Sequence, residues 1–200
     1  MATQEVQEYY DATTNRGPRD DLVSAIQLTT QQGLAIDCGC GAGSDIAHLR
    51  QAGFAVQAFD VEQESIDRCL KRYGSDPEVT LTKASFASFE YPKADLVVAD
   101  ASLFFCPPSD FSQVWQKIVT ALKPGAVFVG SFLGPRDTMA TGQYDKAAFW
   151  PAVSTFTEPE IDALFKTFDV NKFHEHELDG KTAQGKDHHW HIFQVIAVRH

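Results

Sequence analysis

The residues best suited to chemistry lie in the segment LAIDCGCGAGSD, which runs from Leu34 to Asp45. A short apolar run ends there in Asp37 and is followed by three alternating glycines, in the pattern G-x-G-x-G. Glycines tolerate positive φ angles and let a ligand touch bare backbone. The amides that open a following helix offer hydrogen bonds to polar or anionic groups. The segment therefore predicts a loop that binds a nucleotide-like small molecule.

The spacing of acids and glycines separates two classes of such ligands. A dinucleotide loop has the pattern G-x-G-x-x-G and would need a glycine at Ser44. The Asp37 carboxylate would repel a pyrophosphate, whereas it would attract the cationic amino group of S-adenosylmethionine. Asp60, at the end of the next apolar run, suits the ribose hydroxyls of either ligand. Asp37 and the glycine spacing therefore favour S-adenosylmethionine, and an NAD-dependent oxidoreductase is the alternative.

The elements that must position this loop alternate between strand-like and helix-like segments, which is typical of an α/β sheet. Strands are predicted over residues 33–38, 55–60, 79–84, 94–100 and 126–134. Helices are predicted over residues 44–53, 64–74, 111–125 and 158–168, from apolar side chains at helical spacing. Ser44 is expected to cap the first of these helices, and Pro124-Gly125 to end the third.

The C-terminal part departs from this alternation. Residues 169–178 and 189–199 are strand-like, and the polar connection between them is too short for a helical crossover. We therefore predict an antiparallel hairpin that closes an otherwise parallel α/β sheet. The 200 residues suffice for one well-buried core, so a single domain over residues 1–200 is expected.

Charge and composition narrow the classes of partner. The formal net charge is −10 and the basic residues are scattered, so no nucleic-acid partner is expected, since such proteins cluster Lys and Arg. No apolar stretch approaches the roughly 20 residues that span a bilayer, and the N-terminus lacks the pattern of a secretory signal. The spacing of the four cysteines fits neither a zinc ribbon nor a disulfide framework. We expect a cytoplasmic monomer or homodimer with reduced thiols and no membrane partner.

The segments AIDCGCGAGSD and AFD together resemble the class I S-adenosylmethionine-dependent methyltransferases, and LKPGAVFVGSF is similar to their fifth-strand segment. The similarity runs from about Leu34 to the C-terminus and is closest to the small bacterial tellurite-resistance-type methyltransferases. It implies a Rossmann-like seven-stranded sheet of order 3-2-1-4-5-7-6, with strand 7 antiparallel, helices on both faces and an N-terminal helical lid over residues 1–30. It also implies in-line transfer of a methyl group from S-adenosylmethionine to a small-molecule acceptor, with S-adenosylhomocysteine as product.

The resemblance places the cofactor on residues at the ends of the first, second and fourth strands and on the loop after the third. These residues are Asp37, Gly39, Cys40, Gly41, Gly43, Asp60, Val61, Ser85, Phe86 and Asp100. Asp37 and the glycines would hold the methionine end, Asp60 the ribose, and Val61 the adenine. Ser85 stands where the family often has an acid for the adenine amino group and so departs from that pattern. Asp100 would approach the cofactor beside the substrate pocket.

On the substrate side, Tyr10, with Tyr9 and Arg16 nearby, lies in the N-terminal segment that often covers the site in this fold. Arg16 or Arg136 would meet the charge of a carboxylate or oxyanion acceptor. His189 is the candidate for moving a proton, which an amine or hydroxyl acceptor requires and a thiolate or oxyanion does not. The expected catalytic residues are thus Tyr10, Arg136 and His189, and the acceptor stays open among oxyanions, thiols and small carboxylates.

The histidines of the hairpin allow a second interpretation. His174 and His176 share one face of their strand, as do His189 and His191, because side chains alternate with a period of two. If the two pairs met across the hairpin, they would suggest a metal site. We expect a structural or substrate-lining role instead, and no metal. A non-catalytic protein that binds S-adenosylmethionine also stays open, because a cofactor loop indicates binding and not turnover.

Overall fold

The computed structural model of the chain describes residues 4–141, 152–182 and 185–200. Within these ranges seven strands form one sheet in the order β3-β2-β1-β4-β5-β7-β6. The strands are β1 (Leu34–Cys38), β2 (Ala55–Asp60), β3 (Val79–Lys83), β4 (Ala94–Ala99), β5 (Leu122–Leu133), β6 (Phe168–Lys181) and β7 (Asp187–Arg199). The predicted strand order is confirmed.

The strand directions also agree with the prediction. Strands β1 to β5 pair in parallel, whereas β7 is antiparallel to both β5 and β6. The helices are α1 (Gln4–Thr13), α2 (Asp20–Leu28), α3 (Ser44–Gln51), α4 (Gln63–Tyr73), α5 (Pro108–Ala121) and α6 (Glu158–Leu164). The parallel pairing brings the carboxyl ends of β1, β2 and β4 to one edge of the sheet, where ligands bind in this class of fold.

Helices cover both faces of the sheet. Helices α5 and α6 pack on one face, where the rings of Trp115 and Phe128 meet edge to face at 5.2 Å. Helices α2, α3 and α4 pack on the other face, where Ile46 and Leu49 are fully buried. Strand β4 is consequently buried at every position. This double burial explains why its sequence is a continuous apolar run instead of an alternating one.

The start of α3 differs from the prediction. Ser44 is the first residue of the helix, and Gly43 occupies the N-cap with a φ of 77°. A residue with a Cβ is disfavoured in this left-handed conformation. Glycine therefore supplies the turn into the helix by its backbone, and no side-chain hydrogen bond caps it.

The predicted C-terminal ends of α5 and α6 are also wrong. Helix α5 ends at Ala121, since Leu122 already pairs with Ala94 of β4, and Pro124-Gly125 lie within β5. Helix α6 ends at Leu164, and Phe168, which the sequence predicts to lie in that helix, instead pairs with Arg199 and begins β6.

Two expectations from composition concern the cysteines and the membrane. All four cysteines are buried free thiols. In the ranges that the structure describes, no helix combines the length and apolarity needed to cross a membrane.

Candidate active site

A cavity of about 910 Å³ lies at the carboxyl ends of the parallel strands. Its walls come from the loops after β1 to β4, the end of β5, the N-terminal segment and one face of the β6–β7 hairpin. The predicted cofactor residues in these walls are Asp37, Gly39, Cys40, Gly41, Asp60, Val61, Ser85, Phe86 and Asp100. Gly43 is not among the lining residues. The sheet thus brings nearly all of the predicted cofactor residues into one cavity.

Two positions of the loop require glycine, because a Cβ there would come too close to neighbouring atoms. Gly39 has a φ of 75°, and a Cβ there would lie 2.7 Å from the Ser102 Cβ. Gly43 has its carbonyl bound by the Tyr73 hydroxyl at 2.7 Å, and a Cβ there would lie 2.9 Å from the Cys69 sulfur. Gly43 therefore anchors the loop on α4 and shapes the site without lining it.

Asp60 connects the end of β2 to the glycine loop. Its carboxylate accepts a hydrogen bond from the Gly41 amide at 2.9 Å and one from the Glu62 amide at 2.9 Å. Burial raises the pKa of Asp60, and the hydrogen bonds from Glu62 and Gly41 oppose that rise. Because a carboxylate has about four acceptor positions, the side chain keeps capacity for ligand hydroxyls on the cavity side.

The Asp37 carboxylate has too few hydrogen-bond partners for a buried group. It lies at the end of β1 with 3% exposure, and its Oδ2 atom is buried without a hydrogen-bond partner among the described residues. Burial raises the pKa of Asp37 well above its usual range, and the nearby charge of Asp45 raises it further. A buried charge in this state is costly unless a cationic group compensates it. The site is therefore suited to a positively charged ligand group.

The N-terminal segment brings a cation to the same cavity. Arg16 lines the wall after α1, and its Nε atom is buried and, like Asp37 Oδ2, lacks a hydrogen-bond partner. These are the two such buried side-chain atoms in the part of the chain that the structure describes. One is an acceptor with negative charge and the other a donor with positive charge. The cavity therefore offers complementary groups to both ends of a zwitterion.

Helix α4 holds α1 against the glycine loop. The Tyr10 ring lies 3.7 Å from the place that a Cβ of Gly41 would occupy, and the Arg68 guanidinium lies 5.6 Å above that ring. Arg72 donates to the carbonyl of Thr14 at 3.0 Å and to that of Ala42 at 2.7 Å. Burial, followed by the charge of Asp60, raises the pKa of the Tyr10 hydroxyl. The phenol is consequently a neutral wall of the cavity.

Asp100 follows β4 on a strained turn. Ala101 has a φ of 51°, and its amide donates to the Ser131 hydroxyl at 2.7 Å. Left-handed backbone at a residue other than glycine is costly and concentrates at functional sites. The Asp100 carboxylate forms an ion pair with Arg19, which precedes α2. The turn and the ion pair together join the end of β4 to the N-terminal segment.

The opposite end of the cavity is flat and apolar. Val61 is 42% exposed there, and Phe86 rests edge-on against Phe59 at 5.4 Å. The Ser85 hydroxyl lies 3.1 Å from that of Ser88 and forms part of a local turn. Of the residues predicted for the adenine, Val61 and Phe86 therefore offer the apolar surface that a base requires.

The structure does not place Arg136 and His189 at this cavity. The Arg136 guanidinium binds Glu177 at 2.7 Å on the outer face of the hairpin. His189 also faces outward, with its Nδ1 atom 2.7 Å from Asp179 and its Nε2 atom 3.1 Å from Glu177. The Asp179 hydrogen bond raises the pKa of His189. Neither residue lines the cavity, so a substrate role for either is not supported.

The register of the hairpin explains this outcome. His176 pairs with Ile192, and both line the cavity, whereas His191 pairs with Glu177 on the outer face. His188, which the sequence interpretation missed, lies on the inner face. The alternation of strand side chains was available from the sequence, but it gives two equivalent choices of which face is inside.

The alternative in which the histidine pairs meet across the hairpin does not hold. His174 and His176 lie opposite Gln194 and Ile192, not opposite His189 or His191. The outer face instead brings ligand-type atoms of Glu175, Glu177 and His191 within 4.8 Å of one another. The Arg136 guanidinium binds both carboxylates. It already supplies the positive charge between these carboxylates, so the group is an ion-pair network.

The chain is similar in sequence to known proteins. Residues 35–125 match the family model described as "Methyltransferase domain". A carboxy-S-adenosyl-L-methionine synthase of Vibrio parahaemolyticus is 30% identical over 121 residues, covering 54% of this chain and 49% of that protein. The chain spans about half the length of the curated relatives it matches.

Two solved structures are similar over most of the chain. TehB from Haemophilus influenzae has a TM-score of 0.77 at 15% identity, covering 98% of this chain and 67% of that one. The N-methyltransferase NodS from Bradyrhizobium japonicum, in complex with S-adenosylhomocysteine, has a TM-score of 0.65 at 14% identity, covering 97% and 98%. The chain therefore has the fold of the class I S-adenosylmethionine-dependent methyltransferases, which confirms the fold that the resemblance implies.

Proposed function

We propose that this chain, which has the class I methyltransferase fold, transfers a methyl group from S-adenosylmethionine to a small-molecule acceptor. One observation carries the proposal. Asp37 and Arg16 line the same cavity, and the Asp37 Oδ2 and Arg16 Nε atoms are buried without a hydrogen-bond partner within the described ranges. The methionine end of the cofactor has an ammonium and a carboxylate, which match these two groups in charge and in hydrogen-bonding type.

The remaining cofactor contacts follow from the walls of the cavity. Asp37 would hold the ammonium, Arg16 the carboxylate, and Asp60 the ribose hydroxyls. Val61 and Phe86 would lie against the adenine. This assignment separates the polar end of the cavity, at β1 and the N-terminal segment, from the apolar end beyond β2. A pyrophosphate would meet two buried carboxylates in the place of the ribose and ammonium, which disfavours NAD.

When bound, S-adenosylmethionine supplies a methyl group already activated on a sulfonium. The chain then has to orient the acceptor and keep water away. Tyr10, held under Arg68, closes the N-terminal side of the cavity, and Arg19 closes the side above Asp100. Holding two reactants in near-attack geometry contributes about 7–11 kcal/mol to lowering a barrier. We therefore propose that residues 1–30 act as a lid within one domain spanning residues 1–200.

Calorimetric titration with S-adenosylmethionine, S-adenosylhomocysteine and NAD tests the proposal. We expect micromolar binding of the first two and none of NAD. Asp37→Asn and Arg16→Gln should each weaken binding at least tenfold, because each removes one charge-assisted hydrogen bond worth about 1.5–3 kcal/mol. Arg136→Gln, a matched loss of an arginine outside the cavity, should leave the affinity unchanged. Binding of NAD alone would overturn the proposal.

Turnover separates an enzyme from a non-catalytic cofactor-binding protein. Release of S-adenosylhomocysteine, measured across a panel of amines, phenols, thiols, carboxylic acids and oxyanions, should be observed with at least one acceptor. Methyl transfer should be lost in Asp37→Asn and retained in Arg136→Gln. Tight cofactor binding without transfer to any member of the panel would favour the non-catalytic function.

A further inference from the structure

The cavity continues well beyond the residues assigned to the cofactor. Its far wall is the inner face of the hairpin, where alternate residues of β7 line it from Gln194 through Ile192 and Trp190 to His188. Together with Asp137 these residues form what we call the hairpin subsite. The total volume of about 910 Å³ lies near the upper end of the roughly 300–1,000 Å³ typical of small-molecule sites. The cavity therefore has room for a second ligand beside the cofactor.

The length of this wall decides the size of that ligand. Gln194 pairs with Ser131, whose hydroxyl binds the turn beside Asp100, so Gln194 marks the cofactor end. Six positions of paired strand separate Gln194 from His188. At about 3.4 Å per residue this is roughly 20 Å of strand. A bare oxyanion or a small thiol at Asp100 would leave the hairpin subsite empty, whereas an elongated molecule would reach it.

The hairpin subsite presents the rings of two neighbouring side chains. The His188 and Trp190 rings lie 4.8 Å apart with an interplanar angle of 36°. Gly180 of β6 lies behind the indole, and a Cβ there would come within 2.8 Å of it. The indole is therefore backed by the neighbouring strand. Such a surface favours an aromatic or otherwise flat apolar segment of a ligand.

The His188 imidazole also has a defined hydrogen-bonding direction. Its Nε2 atom lies 3.0 Å from the Asp137 carboxylate, which is fully buried. That carboxylate also accepts the amides of Met139 and His191, each at 2.9 Å. Since a carboxylate only accepts, Nε2 carries the proton. The Nδ1 atom, which has no hydrogen-bond partner in the described part of the chain, is then an acceptor in the neutral ring and pairs with a ligand N–H or O–H.

We propose that the hairpin subsite binds the far end of an elongated methyl acceptor, namely a flat ring that lies on Trp190 and carries a hydrogen-bond donor for His188. The inference rests on the proposed function, because it takes the Asp37 end as the cofactor site. Asp137 is a positioning residue that orients the imidazole. The roughly 20 Å of strand between His188 and the cofactor end makes His188 a recognition residue, distant from the reacting atoms.

Two matched probes test this proposal on the protein saturated with S-adenosylhomocysteine. 4-Hydroxybiphenyl has a flat ring pair and a donor, and 4-methoxybiphenyl keeps the rings and lacks the donor. Titrated calorimetrically into the wild-type protein, the hydroxyl compound should bind about tenfold more tightly, as expected for one hydrogen bond of about 1.4 kcal/mol. Equal affinity of the two compounds would overturn the proposal without reference to any variant.

Substitutions in the hairpin show which residues cause the difference in affinity between the two probes. His188→Phe keeps a ring and removes the acceptor, so it should abolish the difference between the probes, and Trp190→Ala should weaken both. His189→Phe, the adjacent residue on the outer face, is the matched control and should change neither. The proposal would be overturned if His189→Phe, and not His188→Phe, lost the difference in affinity between the two probes. It would also be overturned if millimolar selenite, a bare oxyanion, displaced 4-hydroxybiphenyl. Circular dichroism checks folding.

The two proposals fail in distinguishable ways. If S-adenosylhomocysteine does not bind, the proposed function fails, and the same probe titrations on the free protein report on the hairpin subsite. If it binds with micromolar affinity while the probes do not discriminate, only the present inference fails.

Discussion

Arg19 and Asp100 form an ion pair between the N-terminal segment and the turn that ends β4, across 81 positions of the chain. The side chains are 27% and 12% exposed, so water screens the pair only in part. Arg19 directly precedes α2, and Arg16 lies three residues before Arg19. The pair thus fixes the segment that brings a buried cation to the cavity, and in the proposed lid it is a contact that would hold the site closed.

Replacing Arg19 by Gln should loosen that segment. Asp100 would lose its partner in a partly buried position, and removing one member of such a pair costs more than the pair itself contributes. We expect faster amide hydrogen exchange over 4–28 and about tenfold weaker binding of S-adenosylhomocysteine, measured by mass spectrometry and calorimetry.

The control for Arg19→Gln is Lys181→Gln, which breaks the exposed pair between Lys181 and Asp187. Exposed pairs contribute about 0–1 kcal/mol, so exchange over 4–28 should be unchanged. Equal amide hydrogen exchange over 4–28 in the wild type and in Arg19→Gln would contradict the inference that the ion pair with Asp100 fixes this segment.

Asp37→Asn should stabilise the free protein while it weakens cofactor binding. The pKa of Asp37 is raised in the folded state, chiefly by burial, so the folded state binds that proton more tightly than the unfolded state. The ionised carboxylate therefore lowers stability as the pH rises through its folded pKa. Removing it should raise the Tm of the free protein at pH 8 by a few degrees, since ~1 kcal/mol corresponds to about 2–4 °C at this size. Differential scanning calorimetry measures the shift.

Asp60→Asn serves as the comparison. Asp60 is buried like Asp37, but its carboxylate accepts the amides of Gly41 and Glu62. Burial raises the pKa of Asp60 as well, but the substitution weakens these two bonds, and this loss offsets the gain from removing a buried charge, so no gain in Tm is expected. A Tm that falls in Asp37→Asn would show that this carboxylate is compensated in the free protein.

The outer-face ion pairs should be visible in the titration of Glu177. Hydrogen bonding to Arg136 is the largest cause that lowers its pKa, to about 2. In Arg136→Gln we expect the carboxyl to titrate nearer the ordinary value of about 4.3, as followed by carbon-13 NMR. With its folded pKa depressed, Glu177 stabilises the wild type above about pH 4.3 and loses this contribution as the pH falls through about 2. The variant should therefore lose less stability than wild type across that interval, and an unchanged titration would contradict the assignment.

Gly43→Ala and Gly125→Ala separate steric contact from backbone strain. Both glycines have φ angles near +80°, but a Cβ at Gly43 would lie 2.9 Å from Cys69 and from Tyr73, whereas Gly125 has open space within 4 Å. Gly125→Ala should cost only the left-handed backbone penalty of about 1–2 kcal/mol. Gly43→Ala should cost clearly more, and it should also weaken cofactor binding because it moves the loop. Urea denaturation gives both values, and equal costs would contradict the close contacts.

Much of the fold was predictable because it depends on short-range patterns. The apolar runs, the glycine spacing and the polar hairpin connection identify the strands of a parallel sheet with an antiparallel end, and short connections leave few topologies. The helix ends were less predictable. Leu122 and Phe168 fit the helical pattern of the sequence, but in the structure they pair within the sheet with Ala94 and Arg199. That competition involves distant segments and is invisible in local sequence.

By itself, then, the sequence determined the class of fold and the end of the cavity that we propose for the cofactor, because Asp37, the glycines and Asp60 stand at strand ends that any parallel sheet brings together. Only the tertiary structure decided which residues of the hairpin line the other end of the cavity. The register of β7 turns His188 inward and His189 outward, and a shift of one residue would exchange them. The approach of Arg16 and Arg19 to the cavity likewise depends on contacts across the chain, and no local pattern of residues encodes such a distance.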